Sequence, residues 1–275
     1  MPRGTFTALL ALITGITLAF LAIPIVALFT QVPLRDVPDL LGQPAVQDAL
    51  AVTIRTNLIA NALILAFGTP TAWFIARRRF PGRALVVTLV ELPLVLPPAV
   101  AGIGLLAAVG TGGMFGSELR DAGIQLPFTE AAVVLAVAFV ASPFYIRQAI
   151  SSFESVDTTL TDAARTLGAG PGRTFWKVGL PLAAGGLLAG WVLAFARGVG
   201  EFGATIIFAG NVQGRTTTLT LAVYQQLDVD VDVALALGVL LLVLSMGILA
   251  SYKLIGAWRR SSSTSPAAFA PSPSS

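Results

Sequence analysis

Six apolar runs, each long enough to cross the roughly 30 Å hydrocarbon core of a bilayer, dominate this chain. They lie near Thr5–Thr30, Thr56–Ala76, Ala84–Gly110, Glu130–Ile150, Leu182–Ala209 and Val233–Ala257. In hydrocarbon a backbone has no water to bond with, so such runs must close their hydrogen bonds internally as helices. The chain is therefore read as an all-α membrane protein with six transmembrane helices. Composition agrees, with 55% hydrophobic residues, 11% charged residues and a strongly positive mean hydropathy. The first run carries an early arginine, which raises the question of a cleaved signal peptide. It is longer than a signal-peptide core and no clear small-x-small site precedes the acidic loop that follows, so it reads as a retained helix. Residues 1–260 form one transmembrane domain in this reading. The tail 261–275, rich in Ser and Pro, holds too few large apolar residues to fold and reads as disordered.

Basic residues collect on alternate sides of these runs. Arg3, Arg77, Arg78, Arg79, Arg83, Arg147, Arg165, Arg173, Lys177, Lys253, Arg259 and Arg260 fall on one face, whereas the other has Arg35, Arg120 and Arg215. The positive-inside rule makes the first set cytoplasmic, with both termini inside. The opposite loops carry Asp36, Asp39, Asp48, Glu118, Asp121, Asp228, Asp230 and Asp232. Acidic loops of this kind suit simple solubility or a docking rim for an extracytoplasmic carrier protein. They would not capture a free anion well.

The chain has no Cys and no His, which excludes thiolate chemistry, disulfides, imidazole bases and the usual zinc or haem ligands. Neither Lys177 nor Lys253 follows a phosphate-binding loop of the GxxxxGK[ST] form. Nucleotide hydrolysis by that route would need another subunit. A membrane-embedded enzyme would also need acidic or imidazole groups converging at one face, and here the acids are scattered.

One polar loop, about residues 151–181, separates the fourth and fifth runs. Asp157 or Thr158 can cap a helix through Leu160, Ala164 and Leu167, which share a face. Gly168 ends it, because glycine adopts the left-handed geometry that follows a helix. A second piece begins at Pro171 and carries Arg173, Phe175, Trp176 and Lys177 back toward the bilayer. This pattern suits a docking helix, and equally an interfacial helix lying on lipid.

Ionisable residues inside the runs mark candidate functional positions. Arg197 and Glu201, four residues apart in the fifth run, are expected on one helix face, where they can neutralise one another or flank a permeation path. Glu91 is expected to open the third run beside Pro93, Pro97 and Pro98, which interrupt helical bonding and should prevent a straight span. That segment serves either as a packing kink or as a gate.

Asp162-Ala163-Ala164, Gly168 and Val178-Gly179-Leu180-Pro181 resemble the "EAA" coupling loop of ABC-importer permeases, with Asp in place of Glu and Val in place of Ile. A narrower likeness lies in Phe195 to Thr205, Phe208 to Asn211, Gly214 to Thr216, Thr218 to Tyr224 and Glu91 to Pro98. These resemble the molybdate branch of those permeases. The likeness extends from about Thr53 to Tyr252. Thr220 departs from it, standing where a proline is expected, and sulfate and tungstate permeases share much of the Glu201-Phe202-Gly203-Ala204 pattern.

The resemblance implies a type I, MetI-like importer permease fold in a prokaryotic inner membrane, multi-pass, with both termini cytoplasmic. It implies ATP-driven import of molybdate, tungstate with it, or sulfate or thiosulfate as the alternative. An ATP-independent channel or secondary transporter is the more distant reading. Asp162, Ala163, Ala164, Leu167 and Gly168 would then couple the chain to ATPase subunits, and Glu91, Arg197 and Glu201 are the candidate pathway or gate residues. The implied partners are a second copy of the chain, two cytoplasmic ATP-binding subunits, an extracytoplasmic molybdate-binding protein and the lipid bilayer, with no nucleic acid. ATP would bind the partner subunit and no cofactor this chain.

Overall fold

Helix accounts for nearly all regular structure in the computed structural model, which describes residues 3–32, 39 and 42–261, with the side chains of Arg3 and of residues 252–261 left out. Readings that rest on Arg35, Asp36, the side chains of Arg3, Lys253, Arg259 and Arg260, or the tail beyond Ser261 lie outside the described residues. Helix α1 covers Arg3–Gln31, α2 Pro44–Arg77, α3 Arg83–Val95 and α4 Pro98–Val109. Helix α5 covers Gly116–Asp121, α6 Glu130–Glu154, α7 Thr158–Thr166 and α8 Pro171–Thr174. A π-helical turn at Phe175–Gly179 leads into α9, Leu180–Val199. Helix α10 covers Gly203–Phe208, α11 Leu219–Gln226 and α12 Val231–Ser261.

Five segments among the described residues are long and apolar enough to span a bilayer: Gly4–Gln31, Pro44–Arg77, Glu130–Glu154, Pro171–Val199 and Val231–Ser251. The pair Arg83–Val95 and Pro98–Val109 passes the same test together and is bent sharply between the two helices, as a sixth, broken span or a re-entrant loop would be. The break falls at Pro97 and Pro98, so the predicted loss of straightness is present. Pro98 opens α4 as its first residue, where its missing N–H leaves no bond unmade. Glu91 is not at the start of this span but eight residues beyond Arg83, within α3.

Three boundaries differ from the sequence-based expectation by ten residues or more, one being the start of the fifth span at Pro171 rather than Leu182. Helix α2 begins at Pro44, twelve residues before the apolar run, because Ala45, Gln47, Ala49 and Leu50 are good helix formers that extend it. The fifth span ends at Val199 rather than Ala209. Hydropathy continues through that stretch, yet the backbone leaves the helix at Gly200–Phe202 and restarts as α10.

The chain divides into two compact units. The first contains Met1–Ala60, Leu96–Val137 and Val199–Val243. In it, Val32, Ala236 and Val239 form a small buried cluster with Leu28, Phe29 and Leu235 against it. Helix α10 packs closely on α4: a side chain added at Gly102 would meet Ile207 Cβ at 2.8 Å, and one at Gly203 would meet Pro98 Cβ at 2.7 Å. Small residues allow this approach, as they do between helices in bilayers generally.

The second unit contains Asn61–Val95, Ala138–Gly198 and Leu244–Ser275. Its core includes Ile64, Ala72, Ile75, Tyr145, Phe153, Val156 and Leu187. Trp73 sits at one end, edge-on to Phe153 at 5.1 Å and to Phe175 at 5.4 Å between ring centroids. The Arg77 guanidinium lies 5.1 Å from the Trp73 ring, a cation–π contact. Gly179 closes the π turn against the same indole, leaving no room for a β-carbon.

Candidate functional site

The loop between α6 and α9 is built from local rules. The Asp157 carboxylate accepts a hydrogen bond from the Thr159 N–H at 2.8 Å and so caps α7. This bond, first from the Thr159 backbone, holds the Asp157 carboxyl below the usual carboxylate range. At the other end Gly168 takes φ +83°. Its N–H bonds the Arg165 carbonyl at 2.9 Å, while the Ala169 N–H bonds the Ala164 carbonyl at 2.9 Å. These two bonds make a Schellman ending with Gly168 at its left-handed position, as the sequence predicted.

Helix α7 and its C-cap Leu167 expose apolar side chains among polar ones. Leu167 is 88% exposed and Leu160 and Ala163 are exposed as well, whereas Thr161 is buried. The Asp162 carboxylate meets Arg165 at 3.3 Å on the same exposed helix. Such a surface pair contributes little to stability and leaves both groups available to a partner.

What anchors this loop is the aromatic end of the second unit. Arg77 donates to the Val156 carbonyl at 3.0 Å, one residue before the cap of α7. Arg83 donates to the Ile75 carbonyl at 3.0 Å and pairs with Glu154. The bases of α6 and α7 are thus fixed to the ends of α2 and α3. Sequence reasoning used Arg77 and Arg83 as markers of membrane orientation and missed this bracing role.

Glu91, read from the sequence as a pathway or gate candidate, has a partner that the sequence did not suggest. Arg147 on α6 meets its carboxylate at 3.4 Å. The available signal was two opposite charges at similar depth in separate apolar runs.

Glu201 departs most from the expected geometry. Because α9 ends at Val199, Arg197 lies in its last turn and Glu201 lies outside the helix, so the shared helix face expected for the two does not exist. Glu201 is 2% exposed. Its Oε1 accepts the Ala204 N–H at 2.8 Å, capping α10 from inside the first unit. The Thr220 hydroxyl donates to the Glu201 carbonyl at 2.6 Å and lies 2.9 Å from the Thr218 hydroxyl. Thr53 accepts the adjacent Leu219 N–H at 2.8 Å and itself donates to the Ala49 carbonyl. Thr220, the departure from the proline of the resemblance, therefore supplies a donor that proline lacks.

A crevice of the second unit, about 440 Å³ in volume, is lined by Leu65, Thr69, Tyr145, Leu187, Leu188 and Trp191, among others. Its two hydroxyls, Thr69 and Tyr145, bond each other at 2.6 Å. It offers no charge to an anion.

A family model described as "Binding-protein-dependent transport system inner membrane component" matches residues 68–261. The molybdenum transport system permease protein ModB of Mycobacterium tuberculosis is 42% identical over 228 residues, covering 82% of this chain and 84% of that protein. The sulfate transport system permease protein CysW of a Synechocystis species is 36% identical over 221 residues, covering 79% and 80%. Among solved structures, a bacterial alginate ABC transporter in complex with an alginate pentasaccharide-bound periplasmic protein aligns with a TM-score of 0.72 at 15% identity, over 90% of this chain and 92% of that one. At that identity the likeness is one of fold, and the fold is that of ABC importer permeases.

Proposed function

The chain belongs to the binding-protein-dependent transport system inner membrane components, and from that premise we propose that it is the permease of an ATP-driven importer that carries molybdate, and tungstate with it, into the cytoplasm. As a multi-pass permease subunit it conducts rather than catalyses. The observation that carries the substrate is the 42% identity to a molybdenum permease along most of both chains. The 36% identity to a sulfate permease supports sulfate as the second reading.

In this mechanism two copies of the chain surround a shared path in the inner membrane, with both termini cytoplasmic. A molybdate-loaded binding protein docks on the extracytoplasmic side, and two ATPase subunits dock on the cytoplasmic side. ATP binds those subunits and this chain needs no cofactor. Helix α7 enters a groove on each ATPase, where Ala163, Ala164 and Gly168 permit close approach, Leu167 buries its exposed side chain and Asp162 meets a basic group. Closure of the ATPases shifts α7. The Arg77–Val156 bond and the Arg83–Glu154 pair support transfer of that shift to α2, α3 and α6. Glu91, Arg197 and Glu201 belong to the path or the structure around it.

Two experiments test this reading. Reconstituted with its ATPase and binding protein, the chain should take up labelled molybdate only with ATP, and tungstate should block uptake while sulfate does not. Preferential sulfate uptake would favour the second reading, and flux without ATP would end both. Gly168→Arg should release the ATPase on co-purification while the permease stays folded, because a side chain there meets nothing within 4 Å and only strains the end of α7.

A further inference from the structure

Two ion pairs join α3 to α6, with opposite polarity. Arg83 on α3 pairs with Glu154 on α6, and Glu91 on α3 pairs with Arg147 on α6. The first joins the helix ends, where long side chains reach water. The second lies about 12 Å further along α3 and about 10 Å further along α6, at 1.5 Å per residue. Even so, the Arg147 side chain is 69% exposed and that of Glu91 36% exposed. An arginine near a membrane surface can snorkel, but a glutamate at this depth is too short to do so. A carboxylate facing hydrocarbon costs several kcal/mol, so the face that bears this pair belongs against water or polar protein rather than lipid tails.

The contact itself is loose. Arg147 Nε approaches Glu91 Oε1 at 3.4 Å, whereas charge-assisted bonds of this type usually run about 2.7–2.9 Å. A guanidinium held this weakly can turn to a better acceptor, and a tetrahedral oxyanion offers two oxygens to its planar fork. Resting on the importer reading above, we propose that Arg147 receives the oxyanion in the cytoplasmic half of the path. Glu91 is its built-in competitor: it holds Arg147 while the path is empty and reclaims it as the anion leaves. The pair thus attracts the dianion without trapping it, as conduction requires.

Because the chain contains no cysteine, Arg147→Cys introduces its single thiol and the charge can be returned chemically. In vesicles holding the full importer, this variant should lose at least tenfold in molybdate uptake while keeping its melting temperature and its bound ATPase. Modification with 2-aminoethyl methanethiosulfonate, which restores a cation, should recover a large part of the uptake. The anionic 2-sulfonatoethyl reagent should recover none, and wild-type vesicles treated in parallel report any effect through partner cysteines. Glu91→Gln removes the competitor, so internal molybdate should inhibit uptake at severalfold lower concentration than in wild type. Rescue by both reagents or by neither, unimpaired uptake by Arg147→Cys, or wild-type inhibition in Glu91→Gln would overturn the proposal. A wild-type complex that carries sulfate instead would overturn the molybdate reading alone, with the rescue then read on labelled sulfate. One that carries neither would overturn both.

Discussion

Glu91 and Glu201 are both carboxylates within apolar runs of the sequence, and the chain treats them in opposite ways. Glu201 is 2% exposed, caps α10 through the Ala204 N–H and has its carbonyl tied to Thr220. Glu91 is partly exposed and meets one guanidinium at 3.4 Å. A buried acid whose carboxylate takes a backbone N–H and whose carbonyl takes a hydroxyl acts as a structural clasp, since breaking either bond leaves a polar group stranded. An exposed acid in a loose pair can exchange its partner at small cost. Position in an apolar run therefore does not by itself mark a residue as part of a path.

Substitution should separate the two sites. Glu201→Ala strands the Ala204 N–H and removes a clasp, so we expect the largest loss, about 2–3 kcal/mol in stability, seen as poor folded yield and an early melt in detergent. Glu91→Ala should melt like wild type and alter uptake alone; a comparable melting loss in both would break the comparison. Next in size is Gly179→Ala, whose new methyl group collides with Trp73. Overpacking there should cost about 1–3 kcal/mol and weaken ATPase stimulation by loaded binding protein, while Gly185→Ala, in open space, should do neither. Thr220→Val deletes the hydroxyl bond to Glu201 at nearly constant volume and should lower stability by about 1 kcal/mol, checked by thermal unfolding.

The smallest effect is one of pH. The Asp157 carboxyl titrates below its ordinary range because it accepts the Thr159 N–H. A depressed value means that the cap is fully formed above the ordinary carboxylate range, near pH 4, and is lost as pH falls through the folded value. Protection of the amide hydrogens of α7, taken relative to their intrinsic exchange rates, should fall below about pH 4 in wild type and lose that pH dependence in Asp157→Asn.

The spans were legible because hydropathy needs no tertiary information, and the end of α7 was legible because Gly168 has one local task. The break after Val199 was not. The apolar residues around Gly200 are compatible with helix, and the bond from the Ala204 N–H to the Glu201 carboxylate and the packing of α10 on α4 favour the interruption. The Arg147–Glu91 pair was invisible for a different reason. Its members are 56 positions apart, and hydropathy says nothing about which helices are neighbours.

Leu167 carries a consequence for assembly. A leucine 88% exposed on the loop outside the bilayer is poorly suited to a subunit that exists alone. Under the proposed docking, its burial against the ATPase contributes about 1.5–3 kcal/mol, and until then the free chain displays an adhesive spot to every chaperone and protease it meets. The order of synthesis then matters: permease made ahead of its ATPase should have the shorter half-life in a pulse-chase experiment, and Leu167→Ser should lengthen the life of the orphan while weakening the complex.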